Sequence, residues 1–449
     1  MASILSEIRE NNKGRPFRRF YVRRRSSSTG LFEATWQDLS NDVKRWGSIQ
    51  RSIDSIRWNR LRFGDMMLTL ANDEGKYNPN TDDYSFWYGY ADQQRTLIKI
   101  ETGFVAQTFG TNGIWTSTEY PSTPTAFIGL ISGDIMMSDR NDVTFPIRPL
   151  VNIFRDYPAR SLVGYTSTGM TAAQFITMLR DQTDGSTNYI FRPFFDDTTT
   201  NWNYTSSSVT YTNLNTQTAS DVFDKNVWEV LEKLGEAEQM VPYISQDGKF
   251  YFKNRSATTA TSFQFFGNGY QDNEYGITIK RIFKYGKKIS DYYSRVELKY
   301  RLDDTADDYI VTQTALVVDG LNNPWNLGAR TYNFENTYVR DNTAGANALA
   351  QSVFAAVTDI KTEIEFSTSF VPHLELLDRV EVSYVSGAPN FQSYWDLRDW
   401  ADDTVTSDDD LYWDNTKGDA INLNAQTFKL VSIDVNLDTF ESKFLAVRI

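Results

Sequence analysis

The sequence predicts a β-rich α+β protein in which two β-barrel or β-sandwich modules flank a smaller α/β middle domain. Aromatic residues make up 14% of the chain and are mostly Tyr and Phe, which favours half-buried strands over helices. Apolar and polar residues alternate with a period of two towards both ends of the chain, whereas the strongest helical spacing lies in its middle. The 449 residues exceed one ordinary domain, and about three are expected at roughly 150 residues each.

The first predicted module covers residues 1–155 and consists of short strands. In residues 66–71 the side chains of Met66, Leu68 and Leu70 alternate with those of Met67, Thr69 and Ala71. This predicts a strand that ends at a polar turn, residues 72–75. Further strands are predicted at residues 97–100, 127–131 and 143–147. Several short strands separated by polar turns are typical of a barrel or a sandwich.

The predicted middle domain, residues 156–275, combines helices with a hairpin. Residues 171–183 have apolar side chains on one helical face, and Thr171 is a plausible N-cap. A stronger apolar stripe, at i, i+3, i+4 and i+7, begins at Val227 and indicates a core-facing helix. The Asp247-Gly248 pair that follows lies between apolar runs and predicts a β-hairpin.

The last predicted module covers residues 276–449 and returns to strand periodicity. Alternation predicts strands around residues 296–300, 364–368, 380–384, 430–437 and 444–447, with one helix at 344–357. An insertion rich in Asp and Trp, residues 388–424, has no clear period. We interpret it as a long loop or arm, and long loops in compact domains are often functional.

Charge is concentrated near the N-terminus. Residues 1–62 carry 14 basic and six acidic residues, a net charge of +8, whereas the remainder of the chain carries −21. The run RPFRRFYVRRR, residues 15–25, has two interpretations. It is either an exposed edge strand whose arginines discourage stray pairing, or an electrostatic contact with an acidic face of a neighbouring subunit. The arginines of the predicted subunit contact are Arg18, Arg19, Arg23, Arg24 and Arg25.

The insertion also offers candidate binding residues. Its aromatic side chains suit either stacking on sugar rings or packing at a protein interface. These are Trp395, Trp400, Tyr412 and Trp413. The Asp residues between 402 and 414 lack the spacing that arranges six or more oxygens around Ca²⁺. We therefore interpret the acidic cluster as a solvated loop and predict no metal site.

Counting excludes several enzyme classes. The chain has no Cys and a single His, His373, so thiol proteases and HExxH metalloproteases are excluded. No phosphate-binding glycine loop and no Gly-x-Ser-x-Gly motif is present. A glycosidase needs only two carboxylates, but none of the 58 acidic residues is singled out by its context. We predict a protein that is not an enzyme, binds no cofactor and inserts no segment into a membrane.

Four stretches in chain order carry a resemblance to a known family. They are MMLTLANDEGKYNP (66–79), AFIGLISGDIMMSDRNDVTFPI (126–147), VWEVLEKLGEAEQMVPYISQDGKFYFKNR (227–255), and the helix ANALAQSVFAAV followed by strands and LELLDRVEVSY (374–384). Together they resemble the tail hub proteins of long-tailed phages, whose contractile relatives use the same fold in the baseplate hub. The insertion at 388–424 departs from that pattern.

The resemblance implies a structural virion protein at the tail tip, made in the host bacterial cytoplasm. Such hubs are homotrimers in which each subunit carries two related β modules. Three subunits then adapt a six-fold tail tube to a three-fold tip and close the DNA channel until genome ejection. Implied partners are the tail tube or distal tail protein, other tail-tip or spike proteins, the tape measure protein and DNA in passage. The alternative function is a receptor- or glycan-binding tail protein that uses the aromatic residues of the insertion.

Overall fold

The computed structural model of the chain describes most of its length. The described residues are 15–54, 60–78, 85–87, 96–109, 115–119, 125–137, 142–163, 169–185, 188–204, 210–211, 224–254, 261, 263–267, 276–301, 308–314, 330–340, 343–358, 360–385 and 421–449.

Within the described residues the chain is dominated by strands. The first eleven are β1 (Arg15–Arg23), β2 (Gln37–Asp38), β3 (Val43–Arg45), β4 (Ser48–Ile53), β5 (Leu61–Phe63), β6 (Met66–Ala71), β7 (Leu97–Phe109), β8 (Trp115–Glu119), β9 (Thr125–Ile131), β10 (Met136–Met137) and β11 (Asp142–Pro149). The strands of the middle region are β12 (Met170–Thr171), β13 (Trp202–Tyr204), β14 (Thr210–Tyr211), β15 (Met240–Ile244), β16 (Phe250–Asn254) and β17 (Phe263–Gly267). The others are β18 (Gly276–Lys287), β19 (Arg295–Arg301), β20 (Asp308–Thr314), β21 (Thr331–Arg340), β22 (Thr362–Ser369), β23 (Arg379–Val385), β24 (Asn422–Asn436) and β25 (Glu441–Arg448).

Among the residues that the structure describes, helices are fewer than strands and mostly short. They are α1 (Asn152–Arg155), α2 (Ala172–Arg180), α3 (Val227–Ala237) and α4 (Thr343–Val357). Single 3₁₀ turns occupy Ser40–Asp42, Ala159–Ser161, Arg192–Phe195, Thr199–Asn201 and Ile289–Asp291. The β-rich α+β class expected from the sequence is confirmed.

An antiparallel sheet of nine strands forms the N-terminal β unit. Its order is β2-β1-β7-β9-β11-β6-β3, with β8 added to β7 and β10 added to β11. Alternation explains which face is buried, because successive side chains of a strand point to opposite faces. Along β6, Met66, Leu68 and Leu70 are buried while Met67 is exposed. The strands predicted from alternation at 66–71, 97–100, 127–131 and 143–147 are confirmed as β6, β7, β9 and β11.

The second β unit is a closed barrel of six strands. The sheet runs β23-β17-β18-β22-β25-β24, and β23 pairs with β24 as well as with β17, which closes the ring. β17 is parallel to both of its neighbours, and the other barrel pairs are antiparallel. A barrel closed in this way leaves no open edge along the length over which its strands pair.

β4 and β5 join the two β units, although both lie in the N-terminal range. β4 pairs antiparallel with β24 of the barrel, and β5 pairs with β4. The chain turns from β3 into β4 at Gly47, whose φ is +72° and where a Cβ would lie 2.8 Å from the carbonyl oxygen of Met67. Only glycine tolerates this conformation without strain. The turn is held by Asp438, whose carboxylate accepts hydrogen bonds from the backbone N–H groups of Trp46 (3.0 Å) and Gly47 (3.2 Å).

The middle region packs two helices with a three-stranded sheet of order β13-β16-β15. Thr171 is the N-cap of α2 and forms a capping box with Gln174, as its position predicts. α3 begins with a second capping box, between Asn226 and Glu229, and buries the predicted apolar stripe. The predicted hairpin is confirmed as β15 and β16, whose connection contains Gly248 at φ +76°.

A separate α/β unit is inserted into the barrel between β18 and β22. The chain leaves and re-enters the barrel side by side, because the backbone N–H of Lys288 donates to the carbonyl of Lys361 at 2.9 Å. Between these points β20-β19-β21 form a sheet on which α4 packs. The inserted unit has its own hydrophobic core, which includes Val296, Leu298 and Leu349. This core is distinct from the large cluster that runs through the remaining units. Each fully buried side chain of this size contributes roughly 1.5–3 kcal/mol.

Among the described residues, no helix combines the length and the apolar character that crossing a bilayer would require.

Candidate interaction surfaces

The arginine-rich run forms β1, which lies close to one edge of the nine-stranded sheet. All nine residues of β1 pair with β7, but only Tyr21 and Val22 pair with β2 on the other side. The backbone N–H of Phe20 also donates to the Ser40 hydroxyl at 2.8 Å. The described residues therefore cover the outer side of β1 only in part. β1 resembles the edge strand of the first interpretation, although β2 pairs with two of its residues.

Arg18 connects the two β units. Its guanidinium lies 4.8 Å from the ring centroids of both Trp46 and Phe440, and its Nη1 is 3.8 Å from Asp438 Oδ1. Phe440 and Asp438 belong to the turn between β24 and β25, so one side chain of β1 packs on the barrel. Burial lowers the pKa of Arg18 and outweighs the opposing effect of Asp438.

Arg23 and Arg24 hold the segment that follows β1. Arg24 makes a paired contact with the Glu33 carboxylate, at 2.6 Å and 3.0 Å, and lies 4.2 Å from the Phe86 ring centroid. Arg23 donates to the Glu33 carbonyl and to Asp196, each at 2.7 Å. Paired guanidinium–carboxylate contacts of this kind are among the stronger polar interactions.

The two other arginines contact their own chain locally. Arg19 lies 5.2 Å from the ring centroid of Phe17, and Arg25 donates to the Gly30 carbonyl at 2.6 Å. All five arginines of the predicted subunit contact therefore have contacts within their own chain. Whether they also face a neighbouring subunit stays a prediction.

The aromatic residues of the insertion, Trp395, Trp400, Tyr412 and Trp413, lie outside the described residues, as do the Asp residues between 402 and 414. Their predicted role in binding stays a prediction. Within the part of the chain that is described, no group of three or more His, Asp or Glu residues is arranged to hold a metal ion.

His373 lies in the turn between β22 and β23 and packs within the barrel region. Its ring meets that of Phe263 edge-on, with centroids 5.3 Å apart. Burial lowers the pKa of His373 to about 4. A general base works best when its pKa lies near the operating pH, so this imidazole suits packing better than proton transfer.

A charged concavity at the start of the middle region was not foreseen from the sequence. It has a volume of about 430 Å³ and is lined mainly by Arg60, Arg62, Arg155, Lys225, Glu232 and Lys233. Burial raises the pKa of Glu232 to about 7, although Trp228 Nε1 donates to its carboxylate at 2.8 Å. These charges come from β5, α1, α3 and the residues just before β5 and α3, so only the folded chain brings them together.

Glu236, at the edge of the same concavity, is fully buried on α3. Its Oε2 accepts a hydrogen bond from Asn336 Nδ2 at 3.2 Å and lies 4.0 Å from Lys233 Nζ. Buried carboxylates require such partners. The two partners Glu236 and Asn336 are 100 residues apart, and no local pattern indicates such a pair.

Comparisons with known proteins give likenesses of fold. No protein-family model matches the chain, and no curated protein sequence matches it. A tail protein from Neisseria meningitidis MC58 is 10% identical with a TM-score of 0.49, over 96% of each chain. Prophage tail protein gp18 from Listeria monocytogenes EGD-e is 10% identical with a TM-score of 0.47, over 96% of this chain and 94% of that one. The 43 kDa tail protein of prophage MuSo2 from Shewanella oneidensis is 11% identical with a TM-score of 0.47, over 96% and 98%. At these values the likeness assigns no function.

Proposed function

We propose that this chain is a structural protein of a phage tail and forms the central hub of the tail tip or baseplate. The observation that carries the proposal is the presence of two β units in one chain, a nine-stranded sheet and a six-stranded barrel, joined by β4 and β5. The sequence resemblance to tail hubs supports it. All four stretches that carry the resemblance coincide with described elements, namely β6 with its turn, β9 to β11, α3 with its hairpin, and α4 with β22 and β23.

Three copies around an axis would place six β units in a ring. Closed cyclic symmetry is the usual arrangement of such assemblies. A six-fold tail tube could then dock on a three-fold tip without leaving half of its subunits uncontacted. This requires the two units of each copy to keep a fixed orientation. The pairing of β4 with β24 and the packing of Arg18 on Trp46 and Phe440 would supply that rigidity.

The distribution of charge fits passage of DNA. Outside residues 1–62 the net charge is −21, and an acidic channel wall repels phosphates, so that DNA slides without sticking. The basic residues near the N-terminus then belong at a subunit contact rather than in the channel. Of the five arginines we choose Arg19 for the test; its described contacts include those with Phe17 and Tyr21 of its own strand.

The proposal is tested first by the mass of the purified chain. Light scattering should give about 155 kDa, three times the 51.6 kDa of one chain, and Arg19→Ser should lower the trimer fraction while circular dichroism stays unchanged. Arg448→Ser, an exposed cation on β25, is the matched control and should leave the mass unchanged. A monomer at all concentrations would contradict the proposal.

A reconstruction of virions tests the position in the tail. Density for this chain on the tail axis, with three-fold symmetry, is the expected result. A position away from the axis would overturn the hub assignment. If the chain instead bound glycans on an array, and Trp400→Ala with Trp413→Ala abolished that binding, a receptor-binding tail protein would be the better description.

A further inference from the structure

β18 is longer than both of its neighbours in the barrel, β17 and β22. β17 pairs with it only at Gly276, Ile277 and Thr278. On its other side β22 pairs with it from Ile279 to Lys287. From residue 279 to residue 287, one edge of β18 therefore meets no strand among the described residues. We call this segment, residues 279–287, the β18 edge.

The β18 edge is exposed on more than one face. Its pairing with β22 shifts register between Ile279 and Arg281 and again between Ile282 and Lys284. Bulges of this kind bend a strand and increase its twist. Phe283 and Tyr285 are 46% and 39% exposed, which is high for such large side chains. At Gly286 an added Cβ would meet no atom within 4 Å, so the described residues leave open the face of the strand to which that Cβ would point.

The β18 edge is strongly basic. Residues 276–288 contain five Lys or Arg residues and no acidic residue. Lys284 pairs with Glu363 at 2.9 Å, but no described carboxylate forms an ion pair with Lys280, Arg281 or Lys287. The ring centroid of Phe283 lies 4.9 Å from the Arg281 guanidinium carbon and 4.5 Å from Lys443 Nζ. An apolar patch is thus surrounded by cations.

The combination of an open edge, aromatic side chains and positive charge selects a particular partner. Lysines on an edge strand prevent pairing with another strand of like charge, but protection alone does not require exposed Phe and Tyr side chains. An open strand edge offers backbone N–H and C=O groups in a row, which an added strand satisfies and which a nucleic acid does not. We propose that the β18 edge is the docking site for an extended, acidic polypeptide segment of a neighbouring protein, which adds to the barrel as a further strand.

In this arrangement each part of the edge has a separate task. The backbone of residues 279–287 provides the hydrogen bonds of the new ladder, and Phe283 with Tyr285 receives an apolar side chain of the partner. Lys280, Arg281 and Lys287 attract its carboxylates and reject basic or neutral strands, which gives specificity. The inference stands on the barrel alone and does not depend on the role in a phage tail.

The test uses the full chain and an array of strand-length peptides in which Asp or Glu alternates with Val, Ile, Phe or Tyr. The best-binding peptide is then titrated by fluorescence anisotropy. Charge reversal by Arg281→Glu is expected to weaken its binding about tenfold or more, and Phe283→Ala together with Tyr285→Ala should also weaken it. Arg448→Glu, an exposed cation on β25 of the same barrel, is the matched control and should change the Kd little.

Two further probes separate strand addition from simple charge attraction. The same peptide with N-methyl groups on alternate residues keeps its charges but cannot form a ladder, so its binding should be lost. A single-stranded oligonucleotide of similar charge should bind much more weakly. The proposal is overturned if no acidic peptide binds, if N-methylation has no effect, if Arg281→Glu binds as the unmodified chain does, or if the oligonucleotide binds equally well.

Discussion

β1 and β18 are similar in composition and different in surroundings. β1 contains RPFRRFYVR and β18 contains IKRIFKYGK, each with cations interleaved with aromatic residues. In β1 the arginines lie on rings, carbonyls and carboxylates of the same chain, and Phe20 is only 1% exposed. In β18 the aromatic side chains Phe283 and Tyr285 are partly exposed to solvent, at 46% and 39%. A dense run of charge, such as those of β1 and β18, therefore does not by itself indicate whether a surface is available to a partner.

The neighbours of each strand explain the difference. β1 is followed by a segment that folds back over it and supplies acceptors, among them Glu33 and Ser40. β18 continues past the end of β17, and only β22 accompanies it. The length of a strand that lies elsewhere in the chain thus decides whether β18 is open.

The largest expected difference lies between the buried Phe20 of β1 and the exposed Phe283 of β18. Phe20→Ala should lower the free energy of unfolding by about 3–5 kcal/mol, because it leaves a cavity in the packed sheet. Phe283→Ala should change it by no more than about 1 kcal/mol, since the ring is nearly half exposed and loses little beyond its contacts with Arg281 and Lys443. Urea unfolding followed by Trp fluorescence measures both. Equal losses in the two variants would show that Phe283 is covered.

A second prediction concerns acid stability of the barrel that carries β18. The pKa of His373 is about 4 in the folded chain, below the ordinary value of about 6.5. The unfolded chain therefore binds a proton first, and stability is lost as the pH falls from about 6.5 to about 4, by up to roughly 3 kcal/mol. His373→Leu should flatten this dependence in denaturation curves taken across that range.

The carboxyl of Glu232 titrates in an overlapping pH range, so its contribution to the pH dependence of stability must be separated from that of His373. Its pKa is raised to about 7 in the folded chain, so its contribution has the opposite sign and is lost as the pH rises through that value. Comparing His373→Leu with the unmodified residue in a Glu232→Gln background isolates the histidine. An unchanged slope in that background would contradict a buried, neutral His373.

The arginines of the two strands give a smaller contrast. The side chain of Arg24 is only 14% exposed. Arg24→Met should lower the free energy of unfolding by about 1–2 kcal/mol, because Glu33 then loses its charged partner. Arg281→Met should cost less than about 0.5 kcal/mol, as exposed cations usually do. Thermal unfolding of both variants tests the contrast. A large loss for Arg281→Met would place a hidden partner on the β18 edge.

The smallest expected effect sharpens the description of the open edge. Gly286→Thr should leave stability unchanged or raise it by a few tenths of a kcal/mol, because a β-branched residue suits a strand and its Cβ has space. Gly47→Ala is the matched contrast and should be destabilising, since φ is +72° there and Met67 lies close. A clear loss of stability in Gly286→Thr, measured by urea unfolding, would mean that something covers this side of β18.

Local patterns predicted most of the elements but not their partners. Alternation revealed β6, β11, β22 and β25 because it reports which face of a strand is buried, and the predicted N-cap Thr171 coincides with the start of α2. It does not report which strand lies alongside. The pairing of β4 with β24 and the separate α/β unit between β18 and β22 therefore could not be derived from the sequence.

In the candidate surfaces, too, the sequence reveals some of the residues but not the partners that they contact. The arginine run of β1 is conspicuous in the sequence. Its carboxylate partner Glu33 follows it closely along the chain, but Asp196 and Asp438 come from distant parts of the sequence. The β18 edge was not singled out, because its openness depends on where β17 ends. Glu236 lies in a predicted helix, but its burial depends on Asn336 of a unit that periodicity does not reveal.

The pairing of β4 with β24 also sets an order of events during synthesis. Arg51 on β4 and Ser432 on β24 are separated by 381 residues. At translation rates of about 5–20 residues per second, β4 leaves the ribosome roughly 20–80 s before the strand beside which it finally lies. During that interval the edge of β4 that later pairs with β24 has no native partner, and exposed strand edges of this kind are prone to pair wrongly during folding.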